Sequence, residues 1–161
     1  MGAAGATLTG GAAASASSGA RFHSAGEARE VLDRLLSEID GDPAVGLRSQ
    51  ISSVPHRLQL TDLGLVLNVA RAESGPHDLR WAFTDEIDWE PALALEMDST
   101  VANRYLQGAE NFGIALARGE IRVSCEGVGA ALAFLPASVE LIARYRRIVE
   151  RDYPHLLIRR G

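Results

Sequence analysis

The chain contains no lysine: all 16 of its cationic side chains are arginine. With a net charge of -5 it carries no basic footprint, which argues against nucleic acid as a partner. It has a single cysteine, Cys125, so an internal disulfide is excluded and a reducing compartment, the cytoplasm, is expected. No apolar run approaches the ~18 residues that a membrane span needs, and no repeat period appears. No stable membrane anchor is therefore expected. The first twenty residues are small and uncharged, without the basic start and bulky apolar stretch of a secretory signal. Residues 1–21 are expected to be a flexible Gly/Ala/Ser-rich leader, with one domain over 22–156 and a short tail at 157–161.

What is present is an ordinary globular composition, 47% hydrophobic and 23% charged, in a length that can bury a core unaided. "SAGE" (24–27) reads as a capping box, Ser24 capping and Glu27 reaching back to its amide. Val31, Leu32, Leu35, Leu36 and Ile39 follow at helical spacing, and Gly41-Asp42-Pro43 ends that helix. Residues 43–56 read as a loop. From Arg57 the period becomes two. Leu58 and Leu60, then Leu65, Leu67 and Val69, then Leu79, Trp81 and Phe83, then Leu93, Leu95 and Met97 mark the heavy faces of four strands. Their short connections predict an antiparallel meander. Two short helices follow, capped by Asp98 or Ser99 and by Asn111. The strand "EIRVSC" then puts Ile121, Val123 and Cys125 on one face, and a last helix spans about 137–151. Helix, four strands, two helices, strand and helix predict an α+β layer, one sheet with helices on one face.

Signatures of catalysis are sparse. Cys125 alternates with core residues and reads as a small hydrophobe. His23, His56, His77 and His155 are scattered without metal-ligand spacing and read as loop or surface residues, so no catalytic set, metal or cofactor is expected. Asp85, Glu86, Asp88 and Glu90 lack the spacing of a cation loop and read as a solvated acidic turn. The uncharged run "VGAALAFLP" (128–136) has two readings: an ordinary packed segment, or a wall whose small side chains leave room for a ligand.

The second half carries a further pattern. In "LEMDSTVANRYLQGAENFGIALARGEIRVSCEG" an apolar strand leads to Asp98 at a helix start, then Leu-x-Gly ending at Gly108. A small helix with Ala115 or Ala117 follows, then Gly119 and the strand of Ile121 and Val123. This order resembles the sterol carrier protein type-two family, most strongly over 79–150 and by element order over 24–151. Cys125 stands where a glycine is expected, and the last helix is longer than in the smallest members. The resemblance implies a five-stranded, mostly antiparallel sheet with helices packed on one face, enclosing an apolar tunnel. It also implies an apolar small molecule (lipid, fatty acyl chain, or sterol- or polyketide-like ligand) as partner, held for sequestration or transfer. The alternative is a small cyclase or isomerase that shapes a hydrophobic intermediate in the same space, where Tyr105, Asp98 or Glu96 would supply polar groups. The residues expected to line that space are Trp81, Phe83, Leu93, Leu95, Tyr105, Phe112, Leu116, Val123, Leu132, Leu135 and Leu141, with Val66 or Leu67 depending on strand register.

Overall fold

A computed structural model describes residues 20–73, 79–125 and 138–159. Helix α1 (Ala25–Asp40) begins where the sequence marks it: the Ser24 hydroxyl accepts the Glu27 amide at 3.1 Å. The Glu27 carboxylate reaches one residue further back than a capping box requires, accepting the His23 amide at 3.0 Å. Residues 43–56, expected to be a loop, contain helix α2 (Gly46–Ser52). Its intrinsic signal is weak, with no side-chain cap and three serines within 49–53. Leu47, Ile51 and Val54 recur at i, i+4 and i+7, and their burial holds it in place.

Five strands form one sheet: β1 (His56–Leu60), β2 (Leu65–Arg71), β3 (Leu79–Ala82), β4 (Leu93–Met97) and β5 (Ile121–Cys125), in the order β3-β2-β1-β4-β5. The first three make the expected antiparallel meander, turned between β1 and β2 at Gly64, whose φ of 60° suits a residue without Cβ. The meander ends there. Strand β4 does not pair with β3 but crosses to the far edge of β1 and lies parallel to it, so the sheet is mixed. At the start of the connection 83–92, Asn68 on β2 donates to the Thr84 carbonyl at 2.5 Å. Beyond it, the Trp89 ring lies 4.3 Å from the Arg80 guanidinium.

The register fixes the faces. His56 sits opposite Val69 and Leu93, Leu58 opposite Leu67 and Leu95, and Leu60 opposite Leu65 and Met97. Cys125, Val123 and Ile121 continue those three rows on β5. Apart from His56, those three rows are built from apolar residues, and Leu67 rather than Val66 belongs to them. The period-two reading of all five strands agrees with this register.

Helices α1, α2, α3 (Ser99–Leu106) and α5 (Ser138–Asp152) cover that face, while α4 (Phe112–Ala117) packs beside β5. Asp98 caps α3 through the Thr100 amide at 3.1 Å, and Asn111 caps α4 through the Ile114 amide at 3.0 Å. Asp62, in the β1–β2 turn, adds a second anchor to α3 by accepting the Ser99 amide and hydroxyl at 2.8 and 2.6 Å. On α5, Tyr145, Ile148 and Val149 are fully buried against the helical layer. No helix among the described residues is long and apolar enough to cross a membrane.

Candidate functional site

Between the apolar face of the sheet and the helices lies a cavity of about 80 Å³. Its floor is the middle of the sheet: His56 and Leu58 of β1, Leu67 and Val69 of β2, and Leu95 and Met97 of β4. Its roof is Leu32, Leu35 and Leu36 of α1, Ile51 of α2, Ala102, Tyr105 and Leu106 of α3, and Leu141 of α5. Ala102 of α3 is buried and is the smallest side chain in that lining.

Two lining residues carry polar atoms. His56 is buried, and its Nδ1 lies 2.8 Å from the Val54 carbonyl. A carbonyl only accepts, so Nδ1 carries the proton. Burial lowers the pKa of the ring from its ordinary 6.5, with the Val54 hydrogen bond opposing more weakly, so His56 stays neutral near pH 7. Tyr105 packs on Phe112 with ring centroids 5.7 Å apart, and burial raises its phenol above the ordinary range. Among the described residues its hydroxyl has no hydrogen-bond partner. Tyr105 is thus a neutral phenol bordering the cavity, and the neutral His56 adds no charge to its wall.

Of the residues expected to face a ligand, Leu95, Tyr105 and Leu141 border the cavity. Leu93 is buried in the same sheet face, in the row of His56 and Val69, but does not itself line the cavity. Trp81 lies half-buried toward the β3 edge and donates from Nε1 to Asp33 of α1 at 2.9 Å. Phe83 is half-buried beneath the Arg29 guanidinium, 5.1 Å from its ring. Phe112 and Val123 are half-buried against the core, and Leu116 is 44% exposed. Leu132, Leu135 and the run 128–136 lie outside the described residues, as does the side chain of Cys125.

Sequence reasoning missed His56, which is a core residue of β1 and not a loop or surface histidine. The signal was available: His56 stands two residues before Leu58 on the same alternating face. It also missed Ala102, whose small size matters only once its neighbours are known. The histidines at 23 and 155, expected to be isolated, meet at Glu27.

No family model and no curated protein sequence matches the chain. Solved structures do resemble it. One is a sterol carrier protein 2 crystal structure at 16% identity, covering 73% of this chain and 94% of its own with a TM-score of 0.50. Another is a conserved hypothetical protein from Thermus thermophilus, described as possibly a sterol carrier protein, at 15% identity, with 81% and 92% covered and a TM-score of 0.50. A third is the sterol carrier protein domain 2 of Helicoverpa armigera, at 10% identity, with 70% and 89% covered and a TM-score of 0.50. At such identities the likeness is one of architecture: the chain has a sterol-carrier-protein-2-like α+β fold.

Proposed function

We propose that the protein binds an apolar small molecule, such as a fatty acyl chain, another lipid or a sterol- or polyketide-like ligand, between its sheet and its helices, and sequesters or transfers it. The observation that carries this reading is the cavity roofed by α1, α2, α3 and α5, at the centre of a fold that resembles sterol carrier proteins. Its walls are apolar apart from the neutral His56 and Tyr105, so an aliphatic chain enters without stripping water from charges. Burying each methylene contributes about 0.8 kcal/mol, and micromolar affinity needs about 8 kcal/mol, so roughly ten methylenes suffice. A cavity of about 80 Å³ takes the end of such a chain or a small ring. Drug-sized ligands occupy roughly 300–1,000 Å³, so a full ligand must also push the helices away from the sheet.

Native mass spectrometry of freshly purified protein and titration with a fluorescent fatty acid test the reading. Ala102→Leu fills the roof of the cavity. It should weaken fatty-acid binding at least tenfold while leaving the melting temperature unchanged or higher. If no lipid co-purifies and fatty acids, sterols and acyl-CoA show no saturable binding, the reading fails. Conversion of a bound candidate into product would assign the cavity to an enzyme instead.

A further inference from the structure

Away from the cavity, the fold brings together three metal-ligating side chains that the sequence holds far apart. We propose that His23, Glu27 and His155 form a binding site for a divalent zinc-like cation that ties the start of α1 to the end of the chain. His155 follows α5, on a 3-10 turn at Pro154–Leu156, and its Nε2 lies 2.8 Å from Glu27 Oε1. His23 precedes α1, and its Nδ1 lies 3.2 Å from Glu27 Oε2. The two imidazoles stack with centroids 4.1 Å apart and planes 11° from parallel, so one nitrogen of each addresses the same carboxylate.

The ligand atoms of all three residues lie within 4.8 Å of one another. A tetrahedral zinc site with bonds of roughly 2.0–2.1 Å separates its ligand atoms by about 3.4 Å. The two separations to Glu27 already stand near that value, and side-chain rotation supplies the rest. Two imidazoles and one carboxylate suit zinc and its borderline neighbours, whereas calcium and magnesium prefer all-oxygen shells. The His23 side chain is 70% exposed, which admits the ion and leaves a fourth position for water, while Glu27 at 15% is held firmly.

Glu27 is fixed before any ion arrives, since its Oε1 also accepts the His23 amide. The positive end of α1 works against a cation here, but it is a small effect beside three coordinate bonds. Because the ligands come from both ends of the domain, the ion would brace it much as a long-range cross-link does.

Isothermal titration of the full chain with zinc chloride, and native mass spectrometry of the mixture, test the proposal. One zinc per chain is expected, with no saturable uptake of magnesium or calcium, and the melting temperature should rise by a few degrees with zinc. His155→Ala and Glu27→Gln should each weaken binding at least tenfold, while Cys125→Ser keeps it. Should a variant fold poorly, cobalt titration of the wild type reads the site directly, since tetrahedral coordination gives a strong visible absorption. No saturable zinc binding by the wild type overturns the proposal, and so does retention of wild-type affinity by folded His155→Ala. Neither result bears on the apolar cavity, so the two readings stand or fall separately.

Discussion

Helix α3 has a different interior on each side. Toward the sheet, Ala102, Tyr105 and Leu106 border a cavity whose walls touch nothing at its centre. Toward α5 and the chain's end, Asn103 and Gln107 are buried in hydrogen bonds. Asn103 accepts from the Tyr145 hydroxyl at 2.7 Å and from Gln107 at 2.8 Å, and donates to the Leu156 carbonyl at 2.9 Å. Gln107 also donates to Leu156 at 2.7 Å and accepts the Ile158 amide at 2.8 Å. Apolar contact is non-directional, so a ligand can substitute for it, whereas the polar knot tolerates no displacement without stranding a buried donor or acceptor. The knot joins α3, α5 and the segment after α5, beside the cavity.

The contrast can be broken most forcefully at its polar pole. Asn103→Ala strands the Tyr145 hydroxyl and removes partners from Gln107 and Leu156, and each stranded group costs roughly 1–3 kcal/mol. A loss of about 3–4 kcal/mol in urea unfolding is expected, against a loss below about 1 kcal/mol if the knot were solvated.

The same atom can next be deleted on both sides of the helix. Tyr145→Phe should cost about 1–2 kcal/mol, because burial and the nearby Glu27 charge keep that phenol neutral and hydrogen-bonded. Tyr105→Phe should cost almost nothing in the ligand-free protein, yet alter affinity for a ligand with a polar head. Equal losses at the two sites would erase the distinction between knot and cavity.

The smallest expected effect is a pH dependence on the cavity side. His56 binds its proton less readily when folded than its ordinary 6.5. Above that value both states are neutral and the group contributes nothing against folding. As pH falls below 6.5 the unfolded chain takes up the proton first, so stability drops toward the lowered folded value. The loss reaches up to about 1.4 kcal/mol at pH 5.5. Melting curves between pH 7.5 and 5.5 should fall more steeply for the wild type than for His56→Gln, a comparison that separates His56 from the other titrating groups. Parallel curves would mean that the ring is hydrated or charged in the folded state.

Much of this architecture was legible in the one-dimensional pattern. The heavy faces of all five strands, the Ser24 and Asn111 caps and the apolar stripe of α1 follow from periods of 2 and 3.6 and from cap chemistry, because each depends on residues within a few positions. Helix α2 was not legible, since Leu47, Ile51 and Val54 become a helix face only when a core covers them. The departure of β4 from the meander was equally hidden. Its residues suit either edge, and the pairing with β1 joins segments far apart in the chain.

Asn103 of α3 and Gln107 at its C-terminal cap find Tyr145 and Leu156 more than forty residues away. The cavity and the His23–Glu27–His155 cluster are of the same kind. The order of residues was enough to set which side chains alternate, which stripes are apolar and where the side-chain-capped helices start, because those are short-range matters of backbone geometry and hydrophobicity. Where volume is missing over Ala102, and which distant polar groups meet, was settled by packing, because voids and long-range hydrogen bonds belong to pairs of surfaces.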